Sequence, residues 1–221
     1  MPRIVKDPKE RKEELMKAAL SLFETEGYNN TSVDSIVNAA GVAKGTFYYY
    51  FKSKESILEA LFTAYLAQFK PFFSKIQKDK DLKVVTKIQR FFQFMLGESE
   101  DDDNEVTFLI PPVQIINFIR SDNSALVLNT FGAVGRRMYV PILTSIIKEG
   151  NRSGELDVEY PRETIELLLE IIRYIAQISY HVNPKEFHRK LMAVNNIFTR
   201  ALGIKEGLFQ LKLQGEFSED L

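Results

Sequence analysis

Three observations predict an all-α fold for this chain. Apolar residues recur at spacings of three and four along most of its length, and no stretch gives a convincing two-residue alternation. Helix-start signals recur too. Asp7-Pro8-Lys9-Glu10 and Asn183-Pro184-Lys185-Glu186 each join a side-chain cap, a first-turn proline and a glutamate three residues on. Helix stops are supplied by glycine at Gly27, Gly41 and Gly203.

The elements follow in order. From Asp7 a first helix carries Leu15, Ala19, Leu22 and Phe23 on one face and ends at Gly27. Thr31 or Ser32 caps a second, with Val33, Ile36, Val37 and Ala40 to one side. Gly41 permits a sharp turn into a third helix, from about Ala43 to Phe51. Ser53 caps a fourth, which runs through Leu58, Leu61, Phe62 and Tyr65 before Pro71. Two short helices joined by a tight glycine turn and buttressed by a longer first helix have helix-turn-helix geometry.

Composition sets bounds on chemistry. The 221 residues suffice for one large domain or a small one joined to a larger, and a hydrophobic share of 45% is that of a globular chain. The absence of cysteine removes disulfides, thiol nucleophiles and thiolate metal sites. His181 and His188, seven residues apart and lacking carboxylate companions, make a poor metal pair, so neither metal nor cofactor is expected. The opening Met1–Asp7 has no apolar core for a signal peptide. Ile165 to Tyr180 is interrupted by Glu166, Glu170 and Arg173, which argues against a membrane span. A cytoplasmic protein without membrane contact is expected. The net charge of −1 hides an asymmetry, since residues 1–54 carry nine Lys/Arg against seven Asp/Glu. Only the local potential matters at a nucleic-acid contact. Six acids between Glu98 and Glu105 predict a solvated loop.

The densest chemistry lies in Gly41-Val42-Ala43-Lys44-Gly45-Thr46-Phe47-Tyr48-Tyr49-Tyr50-Phe51-Lys52-Ser53-Lys54. At about 100° per residue, Phe47 and Phe51 share one helix face, and Gly45, Thr46, Tyr49 and Lys52 fall opposite. Small residues for close approach, hydroxyl donors and positive charge suit a helix laid against duplex DNA. Phe47, Phe51 and Val42 belong to the core of the three-helix unit. Tyr49 points most directly away from them and is the base-edge reader. Tyr48 and Tyr50 flank it at phosphate height, with a mainly structural role the alternative for Tyr50. Lys44, Gly45 and Thr46 open the helix, where backbone amides are free for phosphate. Lys54 would clamp a phosphate from the start of the fourth helix. Thr31 and Ser32 combine capping with a secondary phosphate contact.

The run Thr31–Val37, the stretch Gly41–Phe51 and the following Lys52-Ser53-Lys54-Glu55 resemble the N-terminal module of the TetR family of transcriptional regulators, over roughly residues 8–62. The resemblance implies a DNA-binding domain at 1–54 and a helical effector-binding and dimerisation domain at 55–221. It implies base and phosphate contacts at Lys44, Gly45, Thr46, Tyr48, Tyr49 and Tyr50. Ala43 departs from the pattern, since the family usually caps the recognition helix with Ser, Thr or Asn. An alanine there forfeits about 1 kcal/mol and predicts a recognition helix that is looser without DNA.

Beyond residue 62 the resemblance is one of architecture, implying about six more helices. Gly150-Asn151-Arg152-Ser153-Gly154 is expected as a turn between two long ones. Ile165, Leu168, Leu169, Ile172 and Ile175, then Phe187, Leu191, Val194 and Phe198, form two apolar stripes. They either meet symmetry mates in a four-helix dimer interface, as the resemblance implies, or form the monomer core. A two-fold dimer would place two recognition helices at least one DNA turn, ~34 Å, apart over a palindrome. Phenylalanine crowds residues 58–140. Phe62, Tyr65, Phe69, Phe91, Phe118, Phe131, Tyr139 and Tyr174 are the residues offered for a flat or apolar effector, with Asn117 and Arg120 either its polar anchors or plain surface. An effector wedged between helices would shift the fourth helix and change the spacing of the recognition helices.

An enzyme is the rival class. Gly41–Thr46 lacks the Gly-Lys-Ser/Thr order of a phosphate loop, and no nucleophile elbow, zinc motif or dinucleotide fingerprint is present. A second rival keeps the fold but answers a protein partner, or activates transcription.

Overall fold

A computed structural model describes residues 7–96, 112–122, 124–178, 183–205 and 207–212. Their regular structure is entirely helical: α1 Pro8–Glu26, α2 Val33–Ala39, α3 Lys44–Tyr50, α4 Lys54–Ala67, α5 Lys70–Lys78, α6 Val84–Met95, α7 Pro112–Ser121, α8 Ala125–Ser153, α9 Pro161–Ile178 and α10 Pro184–Ala201. The acidic run Glu98–Glu105, with Tyr180 and His181, lies outside the described residues. His188 is exposed on α10. Among the described residues no helix is long and apolar enough to cross a membrane.

The helix boundaries follow local chemistry. Asp7 accepts the Lys9 amide at 2.8 Å with Pro8 in the first turn, and α1 stops at Gly27, φ 81°. Ser32 rather than Thr31 caps α2, accepting the Ser35 amide at 3.0 Å. Thr31 is buried, and its hydroxyl turns back to the Gly27 carbonyl at 2.9 Å. Ser53 and Ser56 cap α4 reciprocally. Asn183 accepts the Glu186 amide at 2.9 Å above Pro184, and α10 is closed by Gly203 at φ 64°.

One expected turn is helix instead. Residues 150–153 complete α8, and only Gly154, φ 75°, leaves it. Gly150 is a packing glycine. A β-carbon there would lie 2.5 Å from Leu156 and 2.8 Å from Val84, so its absence lets the chain after α8 close on the start of α6. Glu155 completes that closure by accepting the Val84 amide at 3.0 Å.

The fold separates into two compact units, one of Met1–Phe69 with Val106–Gly135 and the other of Lys70–Glu105 with Arg136–Leu221. In the first, α1 packs on α2, α4 and α7, and α2 packs on α3. Leu15, Ala19 and Phe23 of α1 meet Ile36, Phe47, Leu58, Phe62 and Phe118 in a core closed to solvent. Its rings form a ladder: Tyr28 to Phe23 at 5.1 Å, Phe23 to Phe118 at 5.5 Å, Phe118 to Phe62 at 6.1 Å and Phe62 to Phe131 at 5.2 Å.

In the second unit α5 packs on α6, α6 on α9 and α9 on α10. Phe73, Phe91 and Tyr139 stack within 5.4 Å of one another. Lys87 is buried, yet its ammonium is satisfied by Glu149 at 2.9 Å and the Gln77 carbonyl at 3.2 Å. The two apolar stripes of α9 and α10 are buried within the chain itself. Ile165, Leu168, Leu169, Ile172, Ile175, Phe187, Leu191, Val194 and Phe198 are all at most 8% exposed within the single chain. The outer faces of these helices instead expose Leu167 and Tyr174 on α9 and Met192 and Ile197 on α10.

Gly150→Ala forces a methyl into the contact with Leu156 and Val84 and is expected to lower stability by about 1–3 kcal/mol, measured by urea unfolding.

Candidate nucleic-acid interface

The interface is built from the turn between α2 and α3. Gly41 takes φ 64°, and the Gly41 and Val42 amides bond to the Asn38 and Val37 carbonyls at 3.1 and 3.0 Å. No atom lies within 4 Å of a β-carbon built on Gly41, so glycine is required there by conformation alone. Phe47 and Phe51, both buried with rings 5.7 Å apart, seat the inner face of α3.

That seating fixes what faces outward. Gly45, Tyr48, Tyr49 and Lys52 are exposed, spaced 0, 3, 4 and 7 along one face. Tyr49 is 78% exposed, more than any other large apolar side chain among the described residues. Thr46 and Tyr50 are half-buried at the edges. The Tyr50 ring stands perpendicular to Tyr49 at 4.8 Å, and Tyr48 rests edge-on against Phe47 at 5.5 Å. The two flanking tyrosines therefore have one side committed to the protein. A β-carbon on Gly45 would likewise meet nothing within 4 Å. The fold does not need glycine at that position.

Ala43 stands at the N-cap of α3 without a side-chain hydrogen bond. Lys44, at the surface, pairs with Asp34 on α2 at 2.7 Å. The hydrogen bond to Asp34 raises the lysine's pKa. A solvent-exposed pair of this kind is weakly held.

Lys54 is placed differently from a free phosphate clamp. Its ammonium donates to the carbonyls of Tyr28 at 2.6 Å and Thr31 at 2.7 Å, and lies 4.2 Å from the Tyr28 ring centre. Burial lowers its pKa. From the other side, Asp122 at the end of α7 accepts the Tyr28 amide at 2.5 Å. The Tyr28 hydroxyl donates to Glu55 at 3.2 Å, and its pKa is pushed up by burial first and by the Glu55 charge second. The turn between α1 and α2 is thus gripped through both its carbonyls and an amide. Ser32 remains at the surface, its hydroxyl also shared with Ser35 at 2.8 Å.

The residues offered for an effector fall into separate groups. Phe62, Tyr65, Phe69, Phe118 and Phe131 share the ring ladder of the first unit, and burial pushes the Tyr65 phenol up to about 12. Asn117 and Arg120 are exposed on α7. Phe91 and Tyr139 pack with Phe73 in the second unit. Tyr174 is on the outer face of α9, where its hydroxyl accepts from Lys190 at 3.2 Å. The first unit also holds an open groove of about 510 Å³ between Lys9, Lys12 and Met16 of α1 and Ser56, Ala60 and Ala64 of α4.

Sequence reading missed Asp34, Tyr28 and Asp122. Tyr28 and Asp122 stand 94 positions apart, and nothing local signals their contact. Lys44 and Asp34 could have been paired, since both lie on the solvent side of adjacent short helices.

Residues 15–61 match the sequence profile of bacterial regulatory proteins, tetR family. The fatty acid metabolism regulator protein of Bacillus subtilis is 30% identical over 162 residues, or 69% of this chain and 76% of that protein. The HTH-type transcriptional regulator QacR of Staphylococcus aureus is 23% identical over 193 residues, or 86% of this chain and 97% of that one. Among solved structures, FadR from Bacillus subtilis in complex with stearoyl-CoA shares the fold, with a TM-score of 0.53 at 21% identity over 86% of this chain and 98% of that one.

Ala43→Ser supplies the missing cap. It is expected to raise hydrogen-exchange protection of residues 44–50 in the free protein by about 1 kcal/mol, and operator DNA is expected to raise the same amides in the parent chain.

Proposed function

The chain belongs to the TetR family of bacterial transcriptional regulators, and on that premise we propose that it is a homodimeric repressor. It holds a palindromic operator through α3 and leaves it when an effector carrying a long apolar chain binds. The observation that carries this reading is the outward face of α3, where an unneeded glycine, an exposed tyrosine and lysines are presented on a helix seated by two buried phenylalanines.

In this reading residues 1–54 read DNA. Gly45 lets the helix backbone into the major groove, and Tyr49 meets base edges. Tyr48, Tyr50, Thr46 and Ser32 serve phosphates, and Lys44 exchanges Asp34 for a phosphate. Lys54 and the buried Thr31 act one step back, by holding the turn that aims α2. Residues 55–221 bind the effector and pair the protomers. Leu167, Tyr174, Met192 and Ile197 supply the dimer face, since apolar side chains exposed together on adjacent helices favour a partner.

For the effector, support comes from the name of the 30%-identical relative, a fatty acid metabolism regulator, and from the stearoyl-CoA bound by the fold neighbour. We take a long-chain acyl thioester as the class. Its entry among Phe62, Tyr65, Phe118 and Phe131 requires the ring ladder to part. Phe118 lies on α7 four residues before Asp122, and Phe62 lies on α4 eight residues after Lys54. Parting the rings therefore pulls on both grips of the α1–α2 turn. Couplings of this kind run to about 1–3 kcal/mol.

Selection from random duplex DNA by the purified chain is expected to enrich a palindrome. Gly45→Ala and Tyr49→Ala should each weaken binding to it about tenfold or more while leaving thermal stability within about 0.5 kcal/mol. No enrichment by a folded dimer would end the repressor reading. Long-chain acyl-CoA is expected to release the selected operator in a mobility-shift titration, whereas the free cofactor without its chain is not. Leu167→Glu with Ile197→Glu should give a monomer by light scattering and abolish binding to the full palindrome.

A further inference from the structure

From Gly27 to Lys54 the chain carries three lysines and a single acid, Asp34. Lys54 is occupied by backbone carbonyls, and Lys52 is exposed just past α3. Asp34 lies in the first turn of α2 with its side chain 64% exposed. Lys44, the first residue of α3, reaches both of its oxygens, at 2.7 and 3.0 Å. A carboxylate therefore stands beside the start of α3, whose outward face is otherwise glycine, tyrosine and lysine.

Stability does not account for it. Ser32, not Asp34, caps α2. Among the described residues the carboxylate holds no partner but Lys44, and an ion pair this exposed adds little. Its place at the positive end of α2 is a surface effect, screened by salt.

Duplex DNA makes such a group harder to place. An ionised carboxylate accepts hydrogen bonds and donates none. Phosphates repel it and offer it no proton. The donors of a duplex are base amino groups, and in the major groove these are N4 of cytosine and N6 of adenine. The two are not equivalent. Adenine N6 lies between two acceptors, its own N7 and O4 of the paired thymine. Cytosine N4 has an acceptor on one side alone, O6 of the paired guanine. A carboxylate is therefore better matched to cytosine. Without any donor, a charge stripped of water at the groove edge is costly.

Given the DNA-reading role proposed for α3, we propose that Asp34 is a specificity-determining residue. With Lys44 turned to a phosphate, its carboxylate accepts the N4 amino group of one cytosine in each half-site. α2 then adds a base contact to those of α3, and Lys44 neutralises the carboxylate until DNA arrives.

The test repeats the random-duplex selection with the full-length parent, Asp34→Ala and Asp34→Asn, each checked for an unchanged thermal unfolding midpoint. The parent is expected to hold cytosine at one position of each half-site, with thymine there weakening binding about tenfold. Asp34→Ala is expected to relax that position to within about twofold and to keep the other preferences. Asp34→Asn, whose amide both donates and accepts, is expected to move it towards adenine. Replacing that cytosine by 2-pyrimidinone, which lacks the amino group, should weaken the parent about tenfold and leave Asp34→Ala unaffected. A parent that selects a palindrome while Asp34→Ala keeps the same preference at every position overturns the proposal and leaves the DNA-binding reading standing. Tighter binding of all duplexes by Asp34→Ala, with an unchanged consensus, overturns it too, since the carboxylate then only repels phosphate. A folded parent that selects no sequence ends both.

Discussion

Everything at the candidate nucleic-acid interface depends on how the short turn between α1 and α2 is held. That turn carries backbone groups into a partly buried place where each must find a partner. Lys54 takes two of its carbonyls, at 2.6 and 2.7 Å, and Asp122 takes the Tyr28 amide at 2.5 Å. The start of α2 follows directly, Ser32 caps it, and α3 is then placed by Gly41 and the two buried phenylalanines. A recognition helix of seven residues has little stability of its own. Its orientation is borrowed from this chain of supports.

The same arrangement divides structural from functional chemistry on one small helix. Phe47 and Phe51 give α3 its seat, and the opposite face is free of structural duty, as the open space around Gly45 and the exposure of Tyr49 testify. Lys44 holds only a surface partner in Asp34. Lys54 shows the reverse case. Its charge satisfies carbonyls, so a cation at the edge of a DNA-reading module serves the scaffold. Because Lys54 and Phe62 share α4, and Asp122 directly follows α7, which carries Phe118, the grips on the turn are joined to helices that enter the ring ladder. Packed rings resist small deformations and yield in discrete rearrangements.

The second unit solves a different problem, that of closing wide apolar stripes within a single chain. The inner faces of α9 and α10 are consumed by the core, and the side chains left outside are a separate set. Residues 209–212, outside any helix, are bonded through their backbone to side-chain amides of α6 and α10. Gly150 contributes in the same spirit, since a missing methyl allows the chain after α8 to close on α6.

Much of this protein was legible in the residues alone. Caps at Asp7, Ser32, Ser53 and Asn183, the stops at Gly27 and Gly203, and the outward placement of Tyr49 are local consequences of hydrogen-bonding chemistry and a 3.6-residue period. The alternation Phe209-Gln210-Leu211-Lys212 was also present to be read, though short. Tertiary structure decided the rest. Periodicity states that a stripe is apolar but not what covers it, so only packing showed Ile165, Leu168, Leu169, Ile172 and Ile175, with Phe187, Leu191, Val194 and Phe198, to be buried within the chain. It was packing again that made Gly150 a contact and not a turn, turned the Lys54 ammonium onto backbone carbonyls, and brought Asp122 to Tyr28. Those outcomes depend on partners far along the chain, whose meeting no local rule encodes.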